Sequence, residues 1–222
     1  MLDKLTNLIL VTGHYGSGKT NLAINLALDL KRRGRDVTIA DLDIVNPYFR
    51  TADFAKLMEQ NGIELMKSDF ANSSLDLPSL AMSLDAKIEG GSTLIIDVGG
   101  DDAGATALGR YAPRLKNHKF DMLYVVNKNR LLIENPAETA VLLGEIEAAA
   151  RLKATAVVNN THLAHETEPS IVLGSLEYAN AAADYCELPL FCSTIRRDFY
   201  NALESKDGFY PIDIHVDLPW YL

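Results

Sequence analysis

The stretch LVTGHYGSGKTNLAINLALDL, residues 10 to 30, places Gly13, Gly16 and Gly18 between an apolar run and a long, largely apolar helical pattern. Glycine is a poor residue inside a helix or strand, but it lets a loop take positive φ and brings bare backbone close to a ligand. From Gly13 to Thr20 the spacing reads G-x-x-x-x-G-K-T, the pattern of a phosphate-binding loop. It stands where such a loop must stand, after a strand and at the opening of a helix. Backbone N–H groups of Gly16, Ser17, Gly18 and Lys19 then form an anion nest, reinforced by the positive end of the helix dipole. Lys19 reaches the β- and γ-phosphates and the Thr20 hydroxyl binds Mg²⁺. Asn21 follows directly and joins the nucleotide-binding set.

Outward from this loop, apolar β-rich runs fall at 8–12, 37–41, 93–98, 122–126, 154–159 and 190–193. Helical patterns lie near 19–33, 50–61, 76–89, 103–116, 136–151, 170–186 and 196–204. Several of the runs are apolar almost throughout, as strands covered on both faces are. Asn135 before Pro136, with Glu138 soon after, marks one helix start. The basic run Lys31-Arg32-Arg33-Gly34-Arg35 reads as a helix C-terminus with Gly34 at C′, its cations complementing the dipole. This alternation predicts an α/β fold with a doubly wound, mostly parallel sheet flanked by helices. No linker or repeat divides the 222 residues, so a single P-loop nucleotide-binding domain over 1–222 is expected.

Ligands of such sheets sit at the carboxyl ends of the strands, and the chemically suggestive residues fall there. The second strand ends in ADLDIVNPYFR, with Asp41 and Asp43 two apart. Carboxylates in that place can hold Mg²⁺ or orient an attacking water. The third apolar run ends in LIIDVGGDDAG, where Asp97 has the setting of a Walker B acid and Gly99 and Gly100 leave a mobile backbone where a γ-phosphate sensor would sit. Asp101 and Asp102 cap the helix that starts near Ala103.

Composition limits the partners. A net charge of −9 argues against a general nucleic-acid surface, which needs clustered Lys and Arg. No apolar run reaches the length that spans a bilayer, the first residues read as a strand rather than a signal peptide, and the acidic C-terminus is unlike a basic membrane helix. The aromatics of that C-terminus pack on the domain or on a partner. Cys186 and Cys192 are too few for a disulfide framework or a four-thiolate cluster and read as free thiols of a reducing cytoplasm. The segment THLAHETE puts His162 and His165 three apart, but it lacks the order of a zinc-binding helix and reads as a polar loop beside the base.

Together, TGHYGSGKT, ADLDIVNP, LIIDVGG and AVVNN resemble the MinD/ParA/CobQ-type P-loop ATPases, the group that includes the nitrogenase iron protein and several metallocentre-assembly ATPases. The similarity runs from residue 8 to about 200. It implies a switch I that begins at Asp41, with Asp43 the water-orienting acid and, beside Lys19, the catalytic pair. It also implies that Asp97 heads switch II, that Thr20, Asp41, Asp43 and Asp97 form the Mg²⁺ set, and that Asn159 or Asn160 hydrogen-bonds adenine. One departure stands out: the family's signature lysine after the first loop glycine is His14 here, shorter and mostly neutral at pH 7. Arg50, Lys128 or Arg130 could supply the missing charge. The segment VVNKNR lacks the Asp that would pair with guanine, which favours ATP over GTP.

The function expected is a cytoplasmic, Mg²⁺-dependent ATPase that acts as a nucleotide-dependent switch on a protein partner, as a monomer or a nucleotide-dependent homodimer, without nucleic-acid or membrane binding. The alternatives are a small-molecule kinase or ligase of the dethiobiotin-synthetase kind, and a metallocentre-assembly chaperone with little intrinsic hydrolysis.

Overall fold

A computed structural model describes residues 1–42, 54–67, 77–100 and 102–216, without the side chains of residues 67, 77–82 and 102. In chain order its elements are β1 (Leu8–Gly13), α1 (Lys19–Arg32), β2 (Val37–Leu42), α2 (Ala55–Gln60), β3 (Glu64–Lys67), α3 (Leu77–Glu89) and β4 (Thr93–Val98). There follow α4 (Asp102–Gly109), α5 (Ala112–Leu115), β5 (Asp121–Val126), α6 (Pro136–Ala150), β6 (Ala156–Asn159), α7 (Pro169–Leu173) and α8 (Leu176–Tyr185). The last are β7 (Leu190–Arg196), α9 (Arg197–Ala202) and β8 (Phe209–Ile212).

The described strands form one sheet in the order β3-β2-β4-β1-β5-β6-β7-β8, with every pair parallel. β1, β2 and β4 are buried along their whole length, as their unbroken apolar character requires. Successive residues of a strand face opposite sides, so the sheet carries two cores. Leu10, Ile96, Met122 and Tyr124 pack on one side with Leu84, Leu108, Leu143 and Ala182 from α3, α4, α6 and α8. Ile9, Val11, Ile39 and Ile95 pack on the other with Leu22, Leu26 and Leu30 of α1 and Met58 of α2. Both faces are thus covered by helices, the doubly wound arrangement that the alternation of elements implies.

Local signals account for the helix ends. α6 starts at Asn135, whose side chain accepts the Ala137 N–H at 3.0 Å ahead of Pro136. α1 stops at Gly34, whose φ of 85° lets its N–H reach Lys31 O while Arg35 N–H reaches Leu30 O. The basic run there is engaged locally: Arg32 pairs with Asp29, Arg33 with Asp3, and Arg35 donates to the carbonyls of Leu5 and Thr6.

The structure departs from the sequence expectations in two ways. Two strands, β3 and β8, were not anticipated. They are the edges of the sheet, four residues each, and their ELMK and FYPI runs mix charge or proline with apolar residues instead of forming a continuous apolar stretch. Two expected long helices are each divided. The 103–116 pattern breaks at the turn after Gly109, with Pro113 at the start of α5, and the 170–186 pattern breaks at Gly174. The expected caps Asp101 and the Asp102 side chain, the expected helix start at 50–53, and the final residues 217–222 lie outside the described residues.

The C-terminal segment after β8 is tied to α1. Asn25 donates to Asp213 O at 2.8 Å and accepts the Asp213 N–H at 2.7 Å, while Asn21 donates to the same carbonyl and accepts the N–H of His215 at 2.8 Å. Two amide side chains therefore do the work of a missing neighbouring strand. Tyr210, buried within β8, adds a hydrogen bond to Asp29 on α1. Asn25→Ala is expected to lower the unfolding free energy by about 1–3 kcal/mol, because it strands the N–H of Asp213, whose carbonyl keeps its bond from Asn21. Urea denaturation of the two proteins measures it.

Candidate functional site

The loop between β1 and α1 is the centre of the site. Gly16 and Gly18 have φ of 75° and 85°, which turns the chain back over the first turn of α1. At Gly18 no side chain is tolerated on two grounds: the conformation is left-handed, and a Cβ would stand 2.2 Å from Asn160 Nδ2. Ser17 N–H closes the turn on His14 O at 3.1 Å, and Ser17 itself is fully buried under the loop. Lys19, the first residue of α1, is 7% exposed and its ammonium donates to His14 O at 3.2 Å.

The loop is held from behind by two residues, and a third ties their segments together. Asn160 Nδ2 donates to Ser17 O at 2.7 Å, and Arg130 Nε donates to Gly16 O at 2.8 Å. Asn127, buried at the end of β5, accepts from His162 N–H and donates to His162 O, which binds the segment after β6 to the segment after β5. Lys128 points elsewhere, toward Gly174 O, so of the two described candidates for the charge missing at position 14 only Arg130 lies on the loop. Arg50 lies outside the described residues. His14 is half-buried, and its imidazole is pushed below its ordinary value first by burial and then by the charges of Lys19 and Arg130. It is therefore a neutral group at pH 7 and no substitute for a lysine.

The acids converge from neighbouring strands. Thr20 Oγ1 donates to Asp97 Oδ2 at 2.8 Å, and Asp97 is 1% exposed. Asp41 is its register partner across the β2–β4 pair and is also buried. Three of the four residues expected around Mg²⁺ are thus brought together beside the phosphate loop. Asp43 lies outside the described residues. These are hard oxygen donors, the set Mg²⁺ takes when it binds through one or two carboxylates and a substrate's phosphates. Beyond Asp97 the chain comes against the loop: a Cβ on Gly100 would stand 2.7 Å from Lys19 Nζ and 2.8 Å from Tyr15 N. Only glycine lets this backbone approach so closely.

A pocket opens from the loop and runs along the carboxyl ends of β6, β7 and β8. Tyr15, Gly16, Lys19, Thr20 and Arg130 line one end; Val172, Ile195, Ile212 and Ile214 line the other. Of the two candidate base-binding asparagines, Asn160 lines this pocket. Asn159 is instead fully buried, its amide donating to Ser175 and Ser193 and its carbonyl accepting from Thr161. It joins β6 to its neighbours and has nothing left to offer a base. Asn21 lines the pocket too, although its amide is engaged with residues 213–216 as described above.

His162 and His165 are not arranged as a zinc pair. The residues Ala164–Glu166 make a single 3₁₀ turn, and His162 Nδ1 accepts the Ala164 N–H at 3.1 Å. Among the described residues no three His, Cys, Asp or Glu side chains are grouped to hold a metal. The cysteines are free thiols: Cys192 is buried in the core, where burial pushes its pKa up, and Cys186 stands half-buried near Thr139. No helix among the described residues is long and apolar enough to cross a membrane.

No family model and no curated protein sequence matches the chain. Solved structures do. The 54 kDa signal recognition particle protein from Aeropyrum pernix K1, in complex with GDP, matches with a TM-score of 0.59 at 19% identity over 86% of this chain and 41% of its own. FtsY from chloroplasts of Physcomitrella patens matches with a TM-score of 0.58 at 15% identity over 93% and 62%. A nucleotide-binding protein from Archaeoglobus fulgidus, in complex with ADP, matches with a TM-score of 0.53 at 18% identity over 86% and 82%. The chain thus spans less than two thirds of the signal recognition protein and of the FtsY chain. At these identities the likeness establishes the fold, the mostly parallel α/β sheet of P-loop NTPases.

His162 allows a test of the loop's rear support. Its imidazole is pushed down from 6.5 to about 4, first by burial and then by Arg130. The unfolded chain therefore binds more protons than the folded one between these values. The stability from burying the neutral ring is complete above pH 6.5 and is lost as pH falls toward 4. Urea midpoints are expected to fall across that window, and the fall to be shallower in His162→Gln.

Proposed function

We propose that the chain is a Mg²⁺-dependent P-loop ATPase of the MinD/ParA/CobQ type, acting as a nucleotide-dependent switch on a protein partner. The observation that carries this reading is the joining of the glycine loop to Asp97 through Thr20, beside a pocket whose lining runs from the loop to the carboxyl ends of β6, β7 and β8. The solved relatives in complex with GDP and ADP support nucleotide as the ligand and leave the base open. Adenine is favoured by the pocket itself. Its described lining contains no carboxylate, the group that would accept from the N–H donors of guanine.

Each residue has a role in the chemistry of phosphoryl transfer to water. The loop N–H groups and the buried Lys19 stabilise phosphate charge, as donors fixed in place before the ligand arrives. Thr20, Asp41 and Asp97, with Asp43, would hold Mg²⁺, which when bound neutralises charge on the β- and γ-oxygens. Asp43 orients the attacking water. Arg130 supplies, within the same chain, positive charge at the loop that the neutral His14 does not. The backbone at Gly100 runs so close to Tyr15 and Lys19 that no Cβ fits between them, so a terminal phosphate held by Lys19 would displace or engage it, and switch II would thereby report nucleotide state.

Lys19→Ala is expected to weaken ATP binding by about a hundredfold or more, since it removes a charged contact to the phosphates. Isothermal titration with Mg-ATP measures the loss, and unchanged affinity would sink the assignment. Asp43→Ala should keep the affinity and lower ADP release by about a hundredfold. Wild-type protein should bind ADP more tightly than GDP; the reverse order would overturn the adenine reading.

A further inference from the structure

We infer that His162 is a phosphate-binding residue: its Nε2–H donates to the phosphate chain of the nucleotide beside Gly18. This rests on the nucleotide reading above and adds to it a contact that no element of the G-x-x-x-x-G-K-T pattern supplies.

The geometry fixes both the ring and its proton. Asn127 clamps the main chain of His162 through its N–H and its C=O. The ring is oriented by Ala164, whose N–H donates to Nδ1 at 3.1 Å. A nitrogen that accepts cannot carry the proton of a neutral imidazole, so the hydrogen is on Nε2. Burial and Arg130 keep the ring neutral at pH 7. That Nε2 is buried, has no hydrogen-bond partner among the described residues, and lies 2.9 Å from where a Cβ of Gly18 would stand, on the wall of the nucleotide pocket.

A buried donor without an acceptor is destabilising and calls for a partner. The loop does not provide one. His14 O accepts from Ser17 and Lys19, Gly16 O from Arg130, Ser17 O from Asn160, and Gly18 O from Leu22 N–H in the first turn of α1. Asn160 Nδ2, the other side-chain group close to Gly18, is a donor as well. Donors therefore converge on one glycine whose neighbouring carbonyls are already engaged. The acceptor must arrive with the ligand, and a phosphate oxygen is the strong acceptor that this loop is shaped to receive.

The test is titration of wild type, His162→Gln and His162→Phe with ADP and, separately, with inorganic pyrophosphate, alongside thermal unfolding without ligand. Wild-type binding of ADP that is lost in Lys19→Ala establishes the nucleotide reading by itself; without it, that reading fails first. With it in place, His162→Phe should weaken ADP and pyrophosphate alike by about tenfold, the effect of one hydrogen bond to a charged acceptor. His162→Gln, which keeps an N–H donor, should recover part of both. Equal binding by all three proteins would overturn the inference. So would weakened ADP binding with unchanged pyrophosphate binding, which would put the acceptor on the nucleoside. Should Phe lower the unfolding temperature markedly, the Gln variant carries the comparison.

Discussion

The bonds from Asn160 to Ser17 O and from Arg130 to Gly16 O hold the phosphate loop in the shape on which the site depends. A glycine-rich turn is entropically costly to order, because its residues have the widest conformational freedom to lose. Here that freedom is removed by side chains that begin far along the chain, on the segments after β5 and β6, and that reach under the loop. The parallel order β4-β1-β5-β6 makes this possible, since it brings the carboxyl ends of those strands side by side at one rim of the sheet.

The same rim gathers charge of both signs. Asp41 and Asp97 stand in register on β2 and β4, on one side of the loop, while Arg130 stands on the other. Buried carboxylates beside a loop of N–H donors are unfavourable without compensating cations or hydrogen bonds, and Thr20 supplies one such bond to Asp97. The arrangement suits a ligand that brings several negative oxygens and a divalent cation together, each side of the site complementing one of them.

Much of this was legible in the sequence, for identifiable reasons. The glycine spacing specifies a backbone shape that few other residues can take, and the central strands are buried on both faces and so read as apolar runs. Asp97 and Asp41 stand at the ends of such runs, where a sheet of this kind exposes its ligand side. The edge strands β3 and β8 were not legible, because an edge is stabilised by pairing on one side alone and needs no unbroken apolar run. Nor was the difference between Asn159 and Asn160. Adjacent residues at a strand end point to opposite sides, so one bonds to Ser175 and Ser193 in the interior and the other to Ser17 on the loop.

What the sequence by itself determined is local: a strand, a loop with left-handed glycines and a helix, with oxygen donors at strand ends, all set by backbone sterics and hydrophobic periodicity. What only the tertiary structure decided is which distant side chains meet that loop. Arg50, Lys128 and Arg130 were equivalent candidates as letters for the charge that His14 lacks, yet of the two among the described residues Lys128 turns to Gly174 and Arg130 bonds Gly16. His162 gave no signal beyond a polar segment until the sheet order set it against Gly18. Hydrogen bonding depends on distances of a few ångströms between residues more than a hundred positions apart, and spacing along a chain does not encode these.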